Sequence, residues 1–245
     1  MDNQAQARPG PEHGIGDYVL MHETLEVKEL SKTFKSRAGD VTAVDDVNFE
    51  ARKGEVVVII GPSGSGKTTL LYLVGSLESR DDGEINTFGD DIIGPGADLI
   101  HYRRRRVGFV FQFFNLISAL TALENVTLPM GLDAVPASEQ RSRAVELLAR
   151  MGIDARLQRR MANKMSGGEK QRVAIARAMA NNPDIILADE PTGNLDRVTG
   201  EMVVDILVKL AHEDNKCVII VTHDDSILKV ADRAFHMMDG KLRVS

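Results

Sequence analysis

The stretch of sequence that most constrains the fold is residues 61–68, Gly-Pro-Ser-Gly-Ser-Gly-Lys-Thr. It fits the pattern G-x-x-x-x-G-K-[ST] and lies between an apolar run at 56–60 and a helix-forming segment at 67–77. Glycines permit the backbone torsions that turn successive N–H groups inward, and the start of the helix adds its dipole. The alternative, an unrelated glycine turn, does not explain this strand-loop-helix context.

We therefore predict a phosphate-binding loop for a nucleoside triphosphate. In such a loop Lys67 reaches the β- and γ-phosphates, and the hydroxyl of Thr68 ligates Mg²⁺. The predicted nucleotide-binding residues of this segment are Gly61, Ser63, Gly64, Ser65, Gly66, Lys67, Thr68 and Thr69.

Apolar strands recur along the chain. The run at 56–60 is apolar at every position, which is typical of a strand in a parallel sheet covered on both faces. Residues 185–188 and 217–221 repeat the pattern, each followed by polar residues and a predicted helix. The lone cysteine, Cys217, is interpreted as a buried thiol of the strand at 217–221. These patterns predict an α/β fold.

Alternating segments predict further strands. Residues 24–30 and 41–51 alternate apolar and polar side chains, as half-buried strands do. Near the end of the chain, Asp239-Gly240 lies between two short apolar segments and predicts a tight hairpin turn.

Helix signals dominate residues 118–181, which we predict to be a helical insertion. Thr121 followed by Glu124 has the pattern of a capping box, in which each residue bonds the backbone of the other. A second helix is predicted at 138–151, closed by Gly152 in the left-handed conformation.

The composition indicates one folded domain. The 245 residues are 43% hydrophobic and 27% charged, with a formal charge of −6. This composition is too apolar for a disordered chain and too acidic for general binding to nucleic acid.

Apolar runs are far shorter than the roughly 20 residues that cross a bilayer. Residues 1–22 lack the apolar stretch of a secretory signal and are predicted to be a flexible tail. Four arginines at 103–106 could indicate a contact with nucleic acid or anionic lipid; we predict instead a solvated edge with local carboxylate partners.

Two carboxylates follow the strand at 185–188. Asp189 and Glu190 would lie at the carboxyl edge of a parallel sheet, beside the phosphate-binding loop. There Asp189 would hold Mg²⁺, and Glu190 would orient the water that attacks the γ-phosphate. Without that loop, an acidic strand end before a turn would be the better interpretation.

Residues 166–169, Ser-Gly-Gly-Glu, open another predicted helix and have two interpretations. Ser166 and Glu169 fit a capping box. The glycines between them also leave the helix N-terminus bare and accessible to an anion from outside. The pattern by itself leaves both interpretations open.

In combination, the motifs resemble one family. They follow one another in the same order as in an ABC-transporter ATPase subunit. The motifs are residues 61–68, Gln112 in Phe-Val-Phe-Gln, residues 165–171, Asp189-Glu190, Asp196, and His223 in Val-Thr-His-Asp. The resemblance covers about residues 24–244. It implies a P-loop NTPase with a RecA-like parallel-sheet core, an N-terminal antiparallel β subdomain and a helical subdomain at about 115–181, all within one domain at 23–245.

The resemblance also implies roles for single residues. Gln112 would touch Mg²⁺ and the attacking water, and His223 would contact the γ-phosphate; otherwise both are ordinary structural residues. Ser166 and Gly168 would contact ATP bound to a second copy of the chain, with Asp196 across that junction. Such a head-to-tail pair closes on itself and buries two ATP molecules. The predicted catalytic residues are then Glu190, His223, Gln112 and Lys67, and the predicted metal ligands are Thr68, Gln112 and Asp189.

Some positions depart from the commonest family pattern. Met165 and Glu169 replace the usual Leu and Gln, and Gly193-Asn194 replaces a small residue followed by Ala. Phe34 stands where the family often has a Tyr stacked on adenine, and the ring alone suffices for stacking. The alternative for Phe34 is a core aromatic.

Residues 111–116, 120–126 and 188–196 resemble the lipoprotein-releasing and macrolide-export branch of the family, and the cell-division ATPase is similar. The resemblance implies an ATPase subunit on the cytoplasmic face of the membrane that drives a separately encoded permease. One alternative is a soluble ABC ATPase acting on ribosomes or DNA, which typically carries two ATPase units or a long coiled coil. Another, a GTPase or kinase, leaves residues 166–171 unexplained.

Overall fold

The computed structural model describes residues 23–37, 39–88, 90–91 and 97–245. The strands are β1 (Thr24–Phe34), β2 (Val41–Arg52), β3 (Val56–Ile60), β4 (Asp82–Thr87), β5 (Asp90–Asp91), β6 (Val107–Val110), β7 (Ile185–Asp189), β8 (Cys217–Thr222), β9 (Arg233–Met238) and β10 (Lys241–Val244). The helices are α1 (Lys67–Val74), α2 (Leu99–Arg105), α3 (Ala122–Leu132), α4 (Ala137–Arg150), α5 (Ala155–Gln158), α6 (Gly167–Ala178) and α7 (Arg197–His212), with 3₁₀ turns at Ala162–Lys164 and Asp225–Val230. The tail predicted for residues 1–22 lies outside the described residues. Within the described ranges, no helix has the length and apolar character needed to cross a bilayer.

A central sheet organises the fold. Among the described residues, six strands form this sheet in the order β10-β9-β3-β8-β7-β6. Neighbours from β9 to β6 run parallel, and β10 pairs antiparallel with β9. β3, β7 and β8 are buried at every position, which confirms the predicted parallel sheet. Cys217 is fully buried in β8, and burial raises the pKa of its thiol.

A second sheet carries the N-terminal strands. Its order is β2-β1-β4-β5, and every pair is antiparallel, as the resemblance implied. The pairing of β1 with β2 shifts between Val27 and Leu30, where Glu29 has a positive φ of 49°. Such an irregularity bends a strand and increases its twist.

The central sheet separates two apolar cores, because successive side chains of a strand point to opposite faces. Val56, Val58 and Ile60 join the core formed with α3, α4, α6 and α7. Val57 and Ile59 join the core formed with α1 and the antiparallel sheet. Because β3 is packed on both faces, the loop that follows it starts from a fixed position.

The predicted helical segment contains α3 to α6. Thr121 and Glu124 form the capping box of α3, with both reciprocal bonds present. Gly152 follows α4 with a φ of 69°, which confirms the predicted left-handed cap. Val126 and Leu148 of these helices share a core with β3, and the division of the chain at about 115 and 181 stays a prediction.

The C-terminal hairpin also forms as predicted. Asp239 and Gly240 connect β9 to β10 with φ values of 49° and 78°. Positive φ at both residues is the requirement of a type I′ turn. The N–H of Gly240 donates to the carbonyl of Ser65 at 3.0 Å, so the hairpin contacts the phosphate-binding loop.

The arginine run lies on α2 and the turn before β6. Arg105 pairs with Asp133, and Arg106 pairs with Asp184 at 2.5 Å. Two of the four arginines thus have the predicted carboxylate partners, and Nη1 of Arg103 donates instead to the carbonyl of Ser76 at 3.0 Å.

Candidate nucleotide-binding site

The phosphate-binding loop connects β3 to α1 through backbone shapes that favour glycine. Gly64 has a φ of 81° and Gly66 a φ of 105°. A Cβ added to Gly61 would lie 2.1 Å from the carbonyl oxygen of Met237, and one added to Gly66 would lie 2.0 Å from that of Ala43. The loop is therefore pressed against β9 and β2, which fixes its conformation.

Lys67 begins α1 and is 6% exposed. Its Nζ donates to the carbonyls of Gly61 at 2.7 Å and Pro62 at 2.9 Å, so the ammonium lies against the loop. Burial lowers the pKa of Lys67, and two nearby carboxylates oppose this shift. The hydroxyl of Ser65 is buried without a hydrogen-bond partner. A cation and an unused hydroxyl are donors that suit phosphate oxygens.

Thr68 and Asp189 meet beside the loop although they are far apart in the chain. The hydroxyl of Thr68 donates to Oδ1 of Asp189 at 3.0 Å. Asp189 ends β7 and is 8% exposed. Burial raises the pKa of Asp189, the hydrogen bond from Thr68 opposes this, and the charge of Glu190 adds to it.

The oxygen atoms of this pair fit Mg²⁺. In proteins Mg²⁺ is commonly bound by one or two carboxylates together with phosphate oxygens of the substrate. In the part of the chain that the structure describes, no group of three or more His, Cys, Asp or Glu could hold a metal.

Glu190 directs its carboxylate toward the end of β8. Its backbone has a φ of 45°, and its N–H donates to the carbonyl of Val221 at 2.9 Å. Oε1 lies 2.8 Å from Nδ1 of His223, and Oε2 accepts a hydrogen bond from the hydroxyl of Thr222 at 3.0 Å. The structure thus brings the predicted Glu190 and His223 into contact. Thr222 stands beside His223 in the Val-Thr-His-Asp motif, but only its place at the end of β8, the strand beside β7, indicates a role for its hydroxyl.

Gln112 follows β6 and lies beside the turn after β7. Its carbonyl oxygen accepts a hydrogen bond from Nδ2 of Asn194 at 2.8 Å. Its side-chain Nε2 lies 2.9 Å from the place of a Cβ on Gly193. The preceding Phe111 packs edge-on against Tyr72 of α1, with ring centroids 6.4 Å apart. Groups from α1 and from the turn after β7 therefore support Gln112, and its contact with Mg²⁺ and water stays a prediction.

Ser166 and Glu169 form the capping box of α6. The N–H of Ser166 donates to Oε2 of Glu169 at 2.8 Å, and the N–H of Glu169 donates to Oγ of Ser166 at 3.3 Å. A Cβ on Gly168 would lie 2.3 Å from Cγ2 of Thr199, whose hydroxyl donates to Asp196 at 2.6 Å. This turn and Asp196 are thus neighbours on one surface. Their contact with ATP of a second copy stays a prediction.

Phe34 ends β1 and is 41% exposed, so its interpretation as a core aromatic is wrong. Nζ of Lys32 lies 5.4 Å from the centroid of the ring. The ring is accessible to a base, and stacking on adenine stays a prediction. Of the other loop residues, Ser63 and Gly64 are exposed and Thr69 is half-buried.

Comparisons with known proteins agree with this geometry. A family model described as "ABC transporter" matches residues 44–193. The lipoprotein-releasing system ATP-binding protein LolD of Bacteroides fragilis is 42% identical over 89% of this chain and 99% of LolD. The macrolide export ATP-binding/permease protein MacB of Bradyrhizobium diazoefficiens is 45% identical over 88% of this chain and 33% of MacB. The dimeric post-hydrolysis structure of the cassette MJ0796 of Methanocaldococcus jannaschii, bound to ADP and Pi, aligns with a TM-score of 0.81 and 42% identity over 90% of this chain and 98% of that one. The predicted fold and branch are confirmed.

Proposed function

The chain belongs to the ABC transporter family, and from this we propose that it is the ATP-hydrolysing subunit of a transporter of the lipoprotein-release, macrolide-export or mechanotransmission type. A second copy of the chain completes its ATP sites, and a separately encoded membrane permease takes up the motion. The observation that carries the proposal is the edge of the central sheet, where Lys67, Asp189 and Glu190 meet at the phosphate-binding loop.

ATP binds with its phosphates in this loop, held by backbone N–H groups and by Lys67. Thr68, Gln112 and Asp189 would hold Mg²⁺, which would neutralise charge on the phosphates, and Gln112 would also contact the attacking water. Glu190 orients the attacking water, because phosphoryl transfer needs positioning and charge stabilisation more than covalent help. Thr222 and His223 fix the carboxylate of Glu190 for this task.

A second copy supplies the missing side of the site. Ser166, Gly168 and Asp196 lie together on one surface through Thr199. A head-to-tail pair brings this surface over the γ-phosphate bound by the partner, and the same contact is made twice. The similar cassette MJ0796 is dimeric in two solved structures, which supports the pairing of two copies.

A groove beside the Gln112 loop, the segment that connects β6 to α3, suits a helix of the permease. It has a volume of about 310 Å³, and it lies between α3, β6 and the end of α6. Its apolar lining includes Phe109, Phe111, Leu128 and Leu132, and Arg103 and Arg104 add positive charge. An amphipathic helix with acidic residues would complement this surface. Bound there, the chain lies on the cytoplasmic face of the membrane.

Two substitutions test the proposal. Glu190→Gln keeps the size of the side chain and removes its charge, so we expect ATP binding to persist, hydrolysis to fall at least about 100-fold and dimers to accumulate. Ser166→Arg places a bulky cation on the surface offered to the second copy, so we expect monomers that bind ATP without hydrolysing it. Phosphate release and size-exclusion chromatography measure both effects.

The matched control is Glu146→Gln, which makes the same change at an exposed position of α4. Unaltered hydrolysis by Glu190→Gln would contradict the role of that carboxylate, and full activity of Ser166→Arg would contradict the shared site. Stimulation of hydrolysis by ribosomes or duplex DNA, and not by vesicles that contain the permease, would favour a soluble ABC ATPase instead.

A further inference from the structure

The turn that follows Glu190 carries the sequence Gly193-Asn194, which departs from the commonest family pattern. We propose that Asn194 is the positioning residue of Gln112, and that Gly193 makes room for the Gln112 side chain. Through this contact the turn after the catalytic glutamate sets the orientation of the loop that borders the permease groove. The inference rests on the proposed function, because only there does Gln112 act on ATP.

The contact between the two segments is direct. Nδ2 of Asn194 donates to the backbone carbonyl of Gln112 at 2.8 Å, across 82 positions of the chain. A Cβ on Gly193 would lie 2.9 Å from Nε2 and 3.6 Å from Cδ of the same glutamine. A larger residue at 193 would therefore displace the Gln112 amide, and alanine at 194 would lose the hydrogen bond.

The loop needs such a contact because its backbone is strained. Phe114 and Asn115 have φ values of 61° and 48°, the left-handed region that most residues avoid. Arg177 of α6 donates to the carbonyl of Phe114 at 2.9 Å and also to that of Asn115. A strained segment keeps its shape only when its surroundings fix it. Asn194 holds the start of this loop and Arg177 holds its end.

The turn that carries Asn194 is itself tied to the active site. The N–H of Gly193 donates to the carbonyl of Glu190 at 3.1 Å. Asp196 caps α7 by accepting from the N–H of Thr199 at 3.0 Å. The N–H of Leu195 donates to the carbonyl of Thr192 at 3.0 Å, so Glu190, Asn194 and Asp196 belong to one hydrogen-bonded turn. When a second copy docks against Asp196, movement of this turn reaches Gln112 through the Asn194 hydrogen bond.

The first experiment reads the loop without any need for activity. The chain contains no tryptophan, and Phe113, next to Gln112, is 72% exposed. The substitution Phe113→Trp therefore places the only tryptophan of the chain in the loop. In this background Asn194→Asp removes the amide donor at nearly constant size, and we expect lower fluorescence anisotropy and faster acrylamide quenching of the nucleotide-free monomer.

The matched control for that experiment is Asn48→Asp. Nδ2 of Asn48 likewise donates to a backbone carbonyl, that of Asp46 at 3.1 Å, but on the distant strand β2. We expect this variant to leave the fluorescence of the loop unchanged. Equal fluorescence in the Asn194 variant and its parent would overturn the proposal.

The second experiment asks whether Asn194 acts through Gln112. We expect Asn194→Asp to lower kcat about 3- to 10-fold, the range of one hydrogen bond, with the KM for ATP unchanged. In the background Gln112→Ala the same substitution should lower kcat no further, because the positioned side chain is gone. The kcat of the control variant Asn48→Asp should match that of the unaltered chain.

The experiments give different results when only the role of Asn194 fails and when the proposed ATPase function fails. An equal fall in kcat with and without the Gln112 side chain would mean that Asn194 acts elsewhere, for example at the junction with the second copy, and would overturn the inference. If the unaltered chain hydrolyses no ATP, the proposed function fails, and with it the inference, even where the fluorescence shows that Asn194 holds the loop.

Discussion

Replacing Gly66 with alanine is expected to damage both folding and nucleotide binding, and the structure gives the size of the effect. The φ of 105° at Gly66 is one that L-residues rarely adopt, which costs about 1–2 kcal/mol. The new methyl group would also lie 2.0 Å from the carbonyl oxygen of Ala43, and ordinary contact begins at 3.4 Å. The loop and β2 must therefore separate by roughly 1.4 Å, an overpacking that costs about 1–3 kcal/mol. The expected loss of stability is about 2–5 kcal/mol in all.

Gly152→Ala separates the two contributions. Gly152 has a φ of 69°, but a Cβ there would meet no atom within 4 Å, so only the backbone cost of about 1–2 kcal/mol applies. Urea unfolding of both variants without nucleotide compares their midpoints, provided that the slopes agree. Titration with a fluorescent ATP analogue then measures binding. We expect Gly66→Ala to weaken it at least about tenfold, because the shift breaks phosphate contacts near 2.9 Å, and Gly152→Ala to leave it unchanged.

Comparison of Gly66→Ala with Gly152→Ala can contradict the cost assigned to the close approach to Ala43. If Gly66→Ala unfolds at the same urea concentration as Gly152→Ala, the close approach to Ala43 carries no energy. If both variants also bind the ATP analogue as the unaltered chain does, the contact with β2 does not set the shape of the loop.

Three further predictions concern other parts of the chain. Burial would raise the pKa of Asp184, but Lys53 and Arg106 hold this pKa below its usual value. The Asp184 carboxylate therefore stabilises the fold above about pH 4, and this contribution is lost as the pH falls. In Asp184→Asn the free energy of unfolding, measured with urea, should therefore decrease less steeply at acid pH. Lys67→Ala should weaken ATP binding in equilibrium dialysis, and unchanged affinity would contradict its role as a phosphate ligand. Phe34→Leu should weaken ATP binding about 5- to 150-fold, equivalent to about 1–3 kcal/mol of stacking, whereas Phe34→Tyr should keep it; equal affinities would contradict stacking.

Local patterns in the sequence were sufficient for many elements. The strand at 56–60, the turn at Asp239-Gly240 and the capping box of Thr121 were all predicted from a few neighbouring residues. Each of these depends on backbone torsion, on side-chain periodicity or on one short-range hydrogen bond. Such preferences act wherever the segment lies in the fold.

Ambiguous patterns needed the surroundings. Phe34 fits a core position or an exposed ring equally well by its chemistry, and only its place at the end of β1, where 41% of the residue is exposed, decides between them. Ser166 caps α6 as its sequence allows, but its place beside Asp196 follows from the packing of α6 against α7.

The sequence by itself indicated the residues that the structure brings together at the candidate site: the glycines and Lys67 of the loop, and the carboxylates at the end of β7. Only the tertiary structure decided what holds them, since Thr222 reaches Glu190 across 32 positions and Asn194 reaches Gln112 across 82. These contacts depend on strand order, register and helix packing. Strand order, register and helix packing depend on the burial of apolar side chains in both cores together, so the sequence pattern of a single segment does not indicate them.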